Sequence, residues 1–437
     1  MQSTSLESIA NQLAPTKFGL RGKIWVIFLL IICFVGIYSY YKQIKLGLSV
    51  TGMRDYASWG IYISNFVFFV AISLVGSLIT AILRLTKTNW STPLTRISEI
   101  IAVASILFAS FIIVIDMGRP DRILNLFIYG RIQSPIIWDV LVITTYLFLS
   151  ILLLYIPLIP DLKLLSTNKN VSPGIRKVYR ILSLNWKGTK GQIQRSEKSI
   201  RIISVLIIPV ALAIHTVTAW LFATTYRPGW DSTNFGPYFV SGAFLVGAGG
   251  VIIAMYVFRR YYGYQNFITE KHFDNMGKLL IMLSLLYLYF NINEYLVPAY
   301  KMKVAEEAHI LEMFSGSFST MFWSVILLGM IVPIIVLLFK KGRKPLPMFI
   351  IGIFVVIGAW FKRYLIVTPT LLHPFLPKYD APESYFTYVP TFEEWSITLG
   401  SLAGALLIIT LFARYFPIIP IDETCKESLN CDEKNEN

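Results

Sequence analysis

Asp116, Arg119, Asp139 and His215 each stand inside or at the edge of an apolar run. An ionisable side chain in such a place costs a few kcal/mol or more unless it is paired, hydrated or functional. The four belong to three consecutive runs and fall in the outer half of a bilayer on the topology derived below, so they could line one pocket. A quinol that gives up two electrons must also lose two protons, so a site for its headgroup needs a hydrogen-bonding base at each oxygen. Asp139 with His215 would supply such a pair, with Asp116 close by. A structural alternative stands beside this for Asp116 and Arg119: a pair that caps helix ends at the interface. Glu294, Lys362 and Arg363 fall on the same side. Glu99, His272 and Asp274 fall near the inner surface, where they read either as mouths of a proton path or as groups snorkelling to the headgroups.

The elements that position these residues follow from composition. Of 437 residues, 55% are hydrophobic and 15% charged, and mean hydropathy is +0.62. Apolar runs cover 24–41, 60–83, 97–117, 136–158, 200–225, 238–258, 279–297, 318–339, 346–366 and 395–416. At 1.5 Å per residue, runs of about 20 residues cross a hydrocarbon core of about 30 Å. Their period is helical or continuous rather than alternating, which excludes a β-barrel. The expectation is an all-α integral membrane protein of about ten transmembrane helices. No small-residue cleavage site follows the first run, which therefore reads as a retained helix. Cys33, Cys425 and Cys431 form neither a ligand cluster nor a disulfide framework.

Net charge is +14, and the distribution of Lys and Arg over alternate loops matters more than the sum. With the N-terminus inside, most cations fall on the cytoplasmic side, in 163–201, 259–278 and 340–344, and both termini are cytoplasmic. The basic loop 163–198 is suited to anionic lipid, and nucleic acid is not implied. The opposite loops 226–237 and 373–395 are rich in aromatic, Pro and acidic residues and could dock an outer partner or serve as caps at the headgroup level. A faint repeat compares runs two to five with runs six to nine, as two four-helix bundles with two peripheral helices. The chain then divides into an N-terminal segment with the first helix (1–59), a first bundle (60–158 and 200–225) with a cytoplasmic loop (159–199), a second bundle (238–366), a tenth helix (395–416) and a tail (417–437).

A b-type haem in a membrane usually needs two facing histidines within spans. Of the four here only His215 lies well inside one, so neither haem nor metal is expected. Gly247, Gly249 and Gly250 sit within a span and suit close helix packing rather than phosphate binding.

Several stretches taken in order resemble the polysulfide reductase membrane-subunit (NrfD-like) family, and within it the ten-helix quinol-interacting (ActC-like) subunits of alternative complex III. They are 59–83, Gly118-Arg119-Pro120, Ser134-Pro135-Ile136-Ile137-Trp138-Asp139, 158–161, 179–186, His215-Thr216, Pro228-Gly229-Trp230, 237–242, 272–276 and 416–420. The resemblance implies a haem-free quinone-binding subunit, menaquinone being the expected quinone. It also implies an iron–sulfur or molybdopterin-type partner, a multihaem cytochrome c on the outer face, and room for a second NrfD-like membrane subunit. Asp139 and His215 match positions near the headgroup, and Arg119 matches the arginine of Gly-Arg-Pro. Trp138 and Asp231 join Arg119 as expected quinone contacts. Glu99, His272 and Asp274 match positions proposed for proton conduction, and Glu294 extends that set.

Members of the complex III type usually carry His where this chain has Asp116, and often His after Pro-Gly-Trp, where it has Asp231. An Asp accepts protons at a lower pKa than His unless burial raises it. Quinone reduction therefore stays open beside quinol oxidation. So do two other classes, a transporter without redox role and a passive anchor. A transporter would more often show Gly- or Pro-broken spans at mid-membrane, and only Pro209 and Pro333 approach that.

Overall fold

Hydrocarbon offers the backbone no hydrogen bonds, so a spanning segment must satisfy its N–H and C=O groups internally, which an α-helix does. The computed structural model describes residues 9–15, 18–85, 92–168, 171–376 and 382–425, and every regular element among them is helical. In chain order they are α1 (Leu20–Leu46), α2 (Ile61–Leu85), α3 (Thr92–Asp116), α4 (Pro135–Tyr155), α5 (Leu158–Thr167), α6 (Pro173–Leu182) and α7 (Lys190–Ala223). There follow α8 (Phe235–Tyr261), α9 (Glu270–Lys301), α10 (Val304–Phe314), α11 (Ser319–Leu338), α12 (Pro345–Leu372) and α13 (Phe392–Tyr415). Among the described residues nine helices are long and apolar enough to cross a membrane: α1, α3, α4, α7, α8, α9, α11, α12 and α13. The 25-residue α2 occupies the predicted 60–83 run.

In the first half of the chain α2 packs on α3 and α7, and α4 packs on α7 and α3. In the second half α8 packs on α9 and α12, and α11 lies against both α9 and α12. Contacts of α2 with α8 and α12, and of α7 with α8, join the halves, while α1 and α13 pair with each other beside α3. Two glycine pairs let helices approach closely. A Cβ at Gly36 would lie 2.9 Å from the Cα of Gly400, and one at Gly358 would lie 3.0 Å from the Cα of Gly329. Gly329 belongs to a π-helical turn, Leu327–Ile331, within α11.

Some helices outrun the apolar runs that predict them. α7 begins at Lys190, and its polar first turns extend the predicted 200–225 run, with Thr189 Oγ1 accepting the Gln192 N–H at its start. α9 begins at Glu270, where Thr269 and His272 form a capping box. A helix continues past the hydrocarbon when its further residues are solvated and its end is capped. Between α4 and α7 the chain carries two short helices, α5 and α6.

A buried ion pair closes the end of the molecule that bears the segment after α13, here the terminal face. Arg96 and Asp161 are fully buried with Nη1 and Oδ2 2.7 Å apart. Arg96 also donates to the carbonyls of Pro157 (3.2 Å) and Pro417 (3.1 Å), while Asp161 accepts the N–H groups of Ile421 and Asp422, each at 3.0 Å. The pair thereby ties α3, the α4–α5 connection and the segment after α13 into one knot. Removing one partner strands a buried charge, so Arg96→Ala or Asp161→Ala should cost about 3–5 kcal/mol. Arg96→Met combined with Asp161→Leu should cost clearly less than either. Thermal unfolding of the detergent-purified protein, followed by tryptophan fluorescence, reads the difference.

Candidate functional site

Asp139 and His215 come together through the packing of α4 on α7, toward the end opposite the terminal face, here the distal end. Asp139 lies in the first turns of α4 and is 4% exposed, and its Oδ1 accepts the Thr218 hydroxyl at 2.7 Å. His215 sits three residues before Thr218 on α7, on the same face one turn away. It is fully enclosed, and its Nε2 has no hydrogen-bond partner.

Arg363 of α12 reaches the same region from the second half of the chain. Its guanidinium lies within electrostatic range of His215 and 4.8 Å from the ring centre of Phe239 on α8. It is 2% exposed, with neither Nε nor Nη1 hydrogen-bonded. Phe222, about two turns beyond His215 on the same face of α7, stacks edge-on against Trp230 at 4.9 Å and Trp59 at 5.6 Å, which walls that end of the region with aromatic rings. A carboxyl, an imidazole and a guanidinium with free donors, all shielded from water, can bind an oxygen and exchange protons with it.

A second polar cluster lies between α8, α9, α11 and α12. Lys362 is fully buried and donates from Nζ to the Tyr295 hydroxyl at 3.0 Å, with the ring centres of Tyr295 and Phe322 at 4.6 and 5.1 Å. Glu294 accepts from the Ser232 hydroxyl at 2.8 Å and the Asn234 amide at 3.0 Å, within electrostatic range of Lys362. A cavity of about 30 Å³ adjoins these groups, lined in part by Glu294, Tyr295, Tyr238 and His309. It has room for one or two waters and none for a quinone ring. His309 of α10 is enclosed with Nδ1 unpartnered, its ring 6.2 Å from that of His373. Gly229, in the left-handed region at φ +83°, passes so close that a Cβ there would lie 3.3 Å from His309 Nε2. Burial first, and then the neighbouring His373, hold the His309 imidazole down at about 4.

The remaining residues singled out from the sequence are dispersed. Asp116 ends α3 with Oδ1 buried and unpartnered, but it faces the α1, α2 and α13 side. There Gln43 donates to the Ile115 carbonyl and accepts from the Tyr62 hydroxyl, both at 2.8 Å, and Glu394 lies within electrostatic range. Glu394 is fully buried and accepts from Gly52 N–H at 2.7 Å and the Tyr388 hydroxyl at 2.6 Å. Burial and that carboxylate push the Tyr388 phenol far up, so it remains a proton donor. Arg119 is exposed and forms a two-pronged pair with Asp121 at 3.0 Å, outside the Asp139–His215 region. Asp231 is exposed, and Trp138 is half-buried with its indole N–H donated to the Ile132 carbonyl.

At the terminal face Glu99 is 1% exposed within α3, His272 belongs to the cap of α9, and Asp274 is held by Arg343 and Lys278, each at 2.6 Å. Arg363 and Thr218 enter the site although sequence reasoning assigns neither a role there. Arg363 carries a signal, as one of two cations late in an apolar run. Thr218 has only its place one turn after His215. Cys431 lies outside the described residues.

Many long apolar helices, with ionisable groups buried toward one end, define a multi-pass integral membrane protein. The chain belongs to the NrfD polysulphide reductase family, whose pattern matches residues 49–374. It is similar to three membrane subunits over nearly its whole length. A putative membrane subunit of dimethyl sulfoxide reductase from Halobacterium salinarum is 26% identical, with 94% of this chain and 95% of that one aligned. The integral membrane subunit of menaquinone reductase from Nitratidesulfovibrio vulgaris is 24% identical over 91% of each chain. The Hdr-like menaquinol oxidoreductase integral membrane subunit of Archaeoglobus fulgidus is 23% identical over 92% of this chain and 95% of its own.

The low pKa of His309 has a consequence for stability. An unfolded histidine takes up a proton near pH 6.5, whereas His309 does so only near 4. Below about 6.5 the unfolded chain therefore binds the extra proton, and stability falls by up to about 1.4 kcal/mol per pH unit until the folded group titrates. Above 6.5 the group contributes no slope. His309→Gln should flatten the decline of the melting midpoint between pH 6.5 and 4, and the paired melting curves check it.

Proposed function

We propose that this chain is the quinone-interacting membrane subunit of an oxidoreductase complex, with Asp139, His215 and Arg363 around the headgroup. The observation that carries the reading is the set of orphaned buried atoms, His215 Nε2 with Arg363 Nε and Nη1 in its electrostatic range, while Thr218, one turn from His215, holds the carboxyl of Asp139. A buried polar group without a partner costs about 1–3 kcal/mol, and a bound oxygen would satisfy all three. Relatives named as subunits of a menaquinone reductase and a menaquinol oxidoreductase favour menaquinone as the ring that enters.

Quinol oxidation releases two protons and two electrons. Asp139, oriented by Thr218, takes the proton from one hydroxyl, and neutral His215 takes the other through Nε2. The Arg363 donors hold the oxygen on which negative charge develops. Quinone reduction runs the same transfers backward. The electrons pass to a partner, by the family resemblance an iron–sulfur or molybdopterin-type subunit with a multihaem cytochrome c. A second NrfD-like subunit would complete such an assembly. The distribution of Lys and Arg supports cytoplasmic termini in a cytoplasmic (inner) membrane, an orientation that would turn the distal end and its exposed Arg119 and Asp231 toward those partners.

The Lys362–Glu294 cluster and its water-sized cavity support a further reading in the same chain, movement of protons through the second half, with Glu99, His272 and Asp274 toward the opposite surface. Asp116, buried on another side of α3, would tune the region without touching the headgroup.

The test is electron transfer from a menaquinol analogue in the complex purified from native membranes. Asp139→Asn, His215→Ala and Arg363→Gln should each lower turnover by at least about 100-fold. Arg119→Ala should stay within about twofold, as exposed pairs are weak. Unchanged turnover in both Asp139→Asn and His215→Ala would remove the site.

A further inference from the structure

Helix α6 (Pro173–Leu182) divides its surface into three sectors. One sector is packed: Tyr179 is 2% exposed and donates its hydroxyl to the Tyr415 carbonyl, while the Leu182 carbonyl accepts the Tyr155 hydroxyl at 2.7 Å. Tyr415 is the last residue of α13 and Tyr155 the last of α4, so both anchors lie where a membrane-crossing helix ends. This fixes α6 at the level of the lipid headgroups.

The other two sectors are largely uncovered by the described residues. Val178 and Ile181, one turn apart, are 48% and 66% exposed, and Leu184 just beyond the helix is 66% exposed. Arg176, Lys177 and Arg180 occupy the remaining arc at spacings of one and four residues. Lys177 and Arg180 are exposed, while Arg176 is half-buried with its Nε shielded and unpartnered. Leu184 and Asn185 both adopt the left-handed conformation, at φ 47° and 56°. That backbone is strained for a leucine, and in water the exposed tip would gain nothing in return. Trp186 follows, a residue type enriched at membrane interfaces.

We propose that α6 and its Leu184 tip form an interfacial anchor for anionic phospholipid of the host bilayer. Val178, Ile181 and Leu184 enter the acyl layer, and Arg176, Lys177 and Arg180 hold lipid phosphates. An apolar stripe beside a basic arc at headgroup level has the two-sided chemistry of a helix lying in the interface plane. Negative headgroups complement its cations, whereas a soluble protein surface would seldom match both arcs. The proposal is independent of the quinone site.

Hydrogen exchange of the full complex in nanodiscs tests it. In discs of phosphatidylcholine mixed with phosphatidylglycerol, amides of residues 173–188 should exchange several-fold more slowly than in phosphatidylcholine alone. Lys177→Glu with Arg180→Glu should abolish that difference, while Lys177→Arg with Arg180→Lys should keep it. These side chains are exposed, so electron-transfer turnover reports that the complex is intact. Equal exchange in the two kinds of disc, or a difference that persists in the double Glu variant, would assign the face to a protein neighbour and overturn the proposal.

Discussion

A solvent that cannot hydrogen-bond governs this structure. In hydrocarbon each polar atom must find its partner inside the protein or leave a penalty uncompensated. The backbone meets that demand with helices. Side chains meet it with hydrogen-bonded sets such as the one around Glu394, whereas the buried Arg96–Asp161 pair still leaves Arg96 Nε without a partner. Against the Glu394 set, the orphaned atoms of His215 and Arg363 stand out because they lie within electrostatic range of one another. An open set gathered from two helices marks a candidate site better than burial alone, since scaffold and site residues alike are buried.

The two halves of the chain contribute unequally to that open set. Asp139, Thr218 and His215 come from α4 and α7, and Arg363 comes from α12 across the junction where α2 and α7 meet α8. Its neighbour Lys362 points into the second cluster, toward Tyr295. Two adjacent cations on one helix thus serve different clusters, as side chains about 100° apart can. A change in the α12 backbone would be felt by both clusters at once.

Much of the fold was legible because the apolar runs are long and the solvent leaves few alternatives. Helical class, membrane crossing and family all follow from such runs and from ordered motifs such as Gly-Arg-Pro and Pro-Gly-Trp. Helix ends were less legible, since α7 and α9 continue on polar residues whose caps, Thr189 and Thr269, have no hydropathy signature. Asp139 and His215 could be picked out because each is a polar residue in an apolar run. The grouping of residues was harder to read. Asp116 has the same linear signature as Asp139, yet the face of α3 it occupies depends on how α1 and α13 pack, which no local spacing records. Arg119 reads as a site residue from its motif, while in the structure it is committed to Asp121 two residues away.

The glycine contact between α11 and α12 has a reach beyond its own packing. Gly358 precedes Lys362 by about one turn on the same face of α12, so the depth to which the two backbones sink together sets where that ammonium meets Phe322 and Tyr295. The π-helical turn around Gly329 rotates the following residues of α11 relative to those before it. The helix pair therefore works as a gauge block: its thickness is set by two missing side chains, and a charge deep in oil is positioned by it.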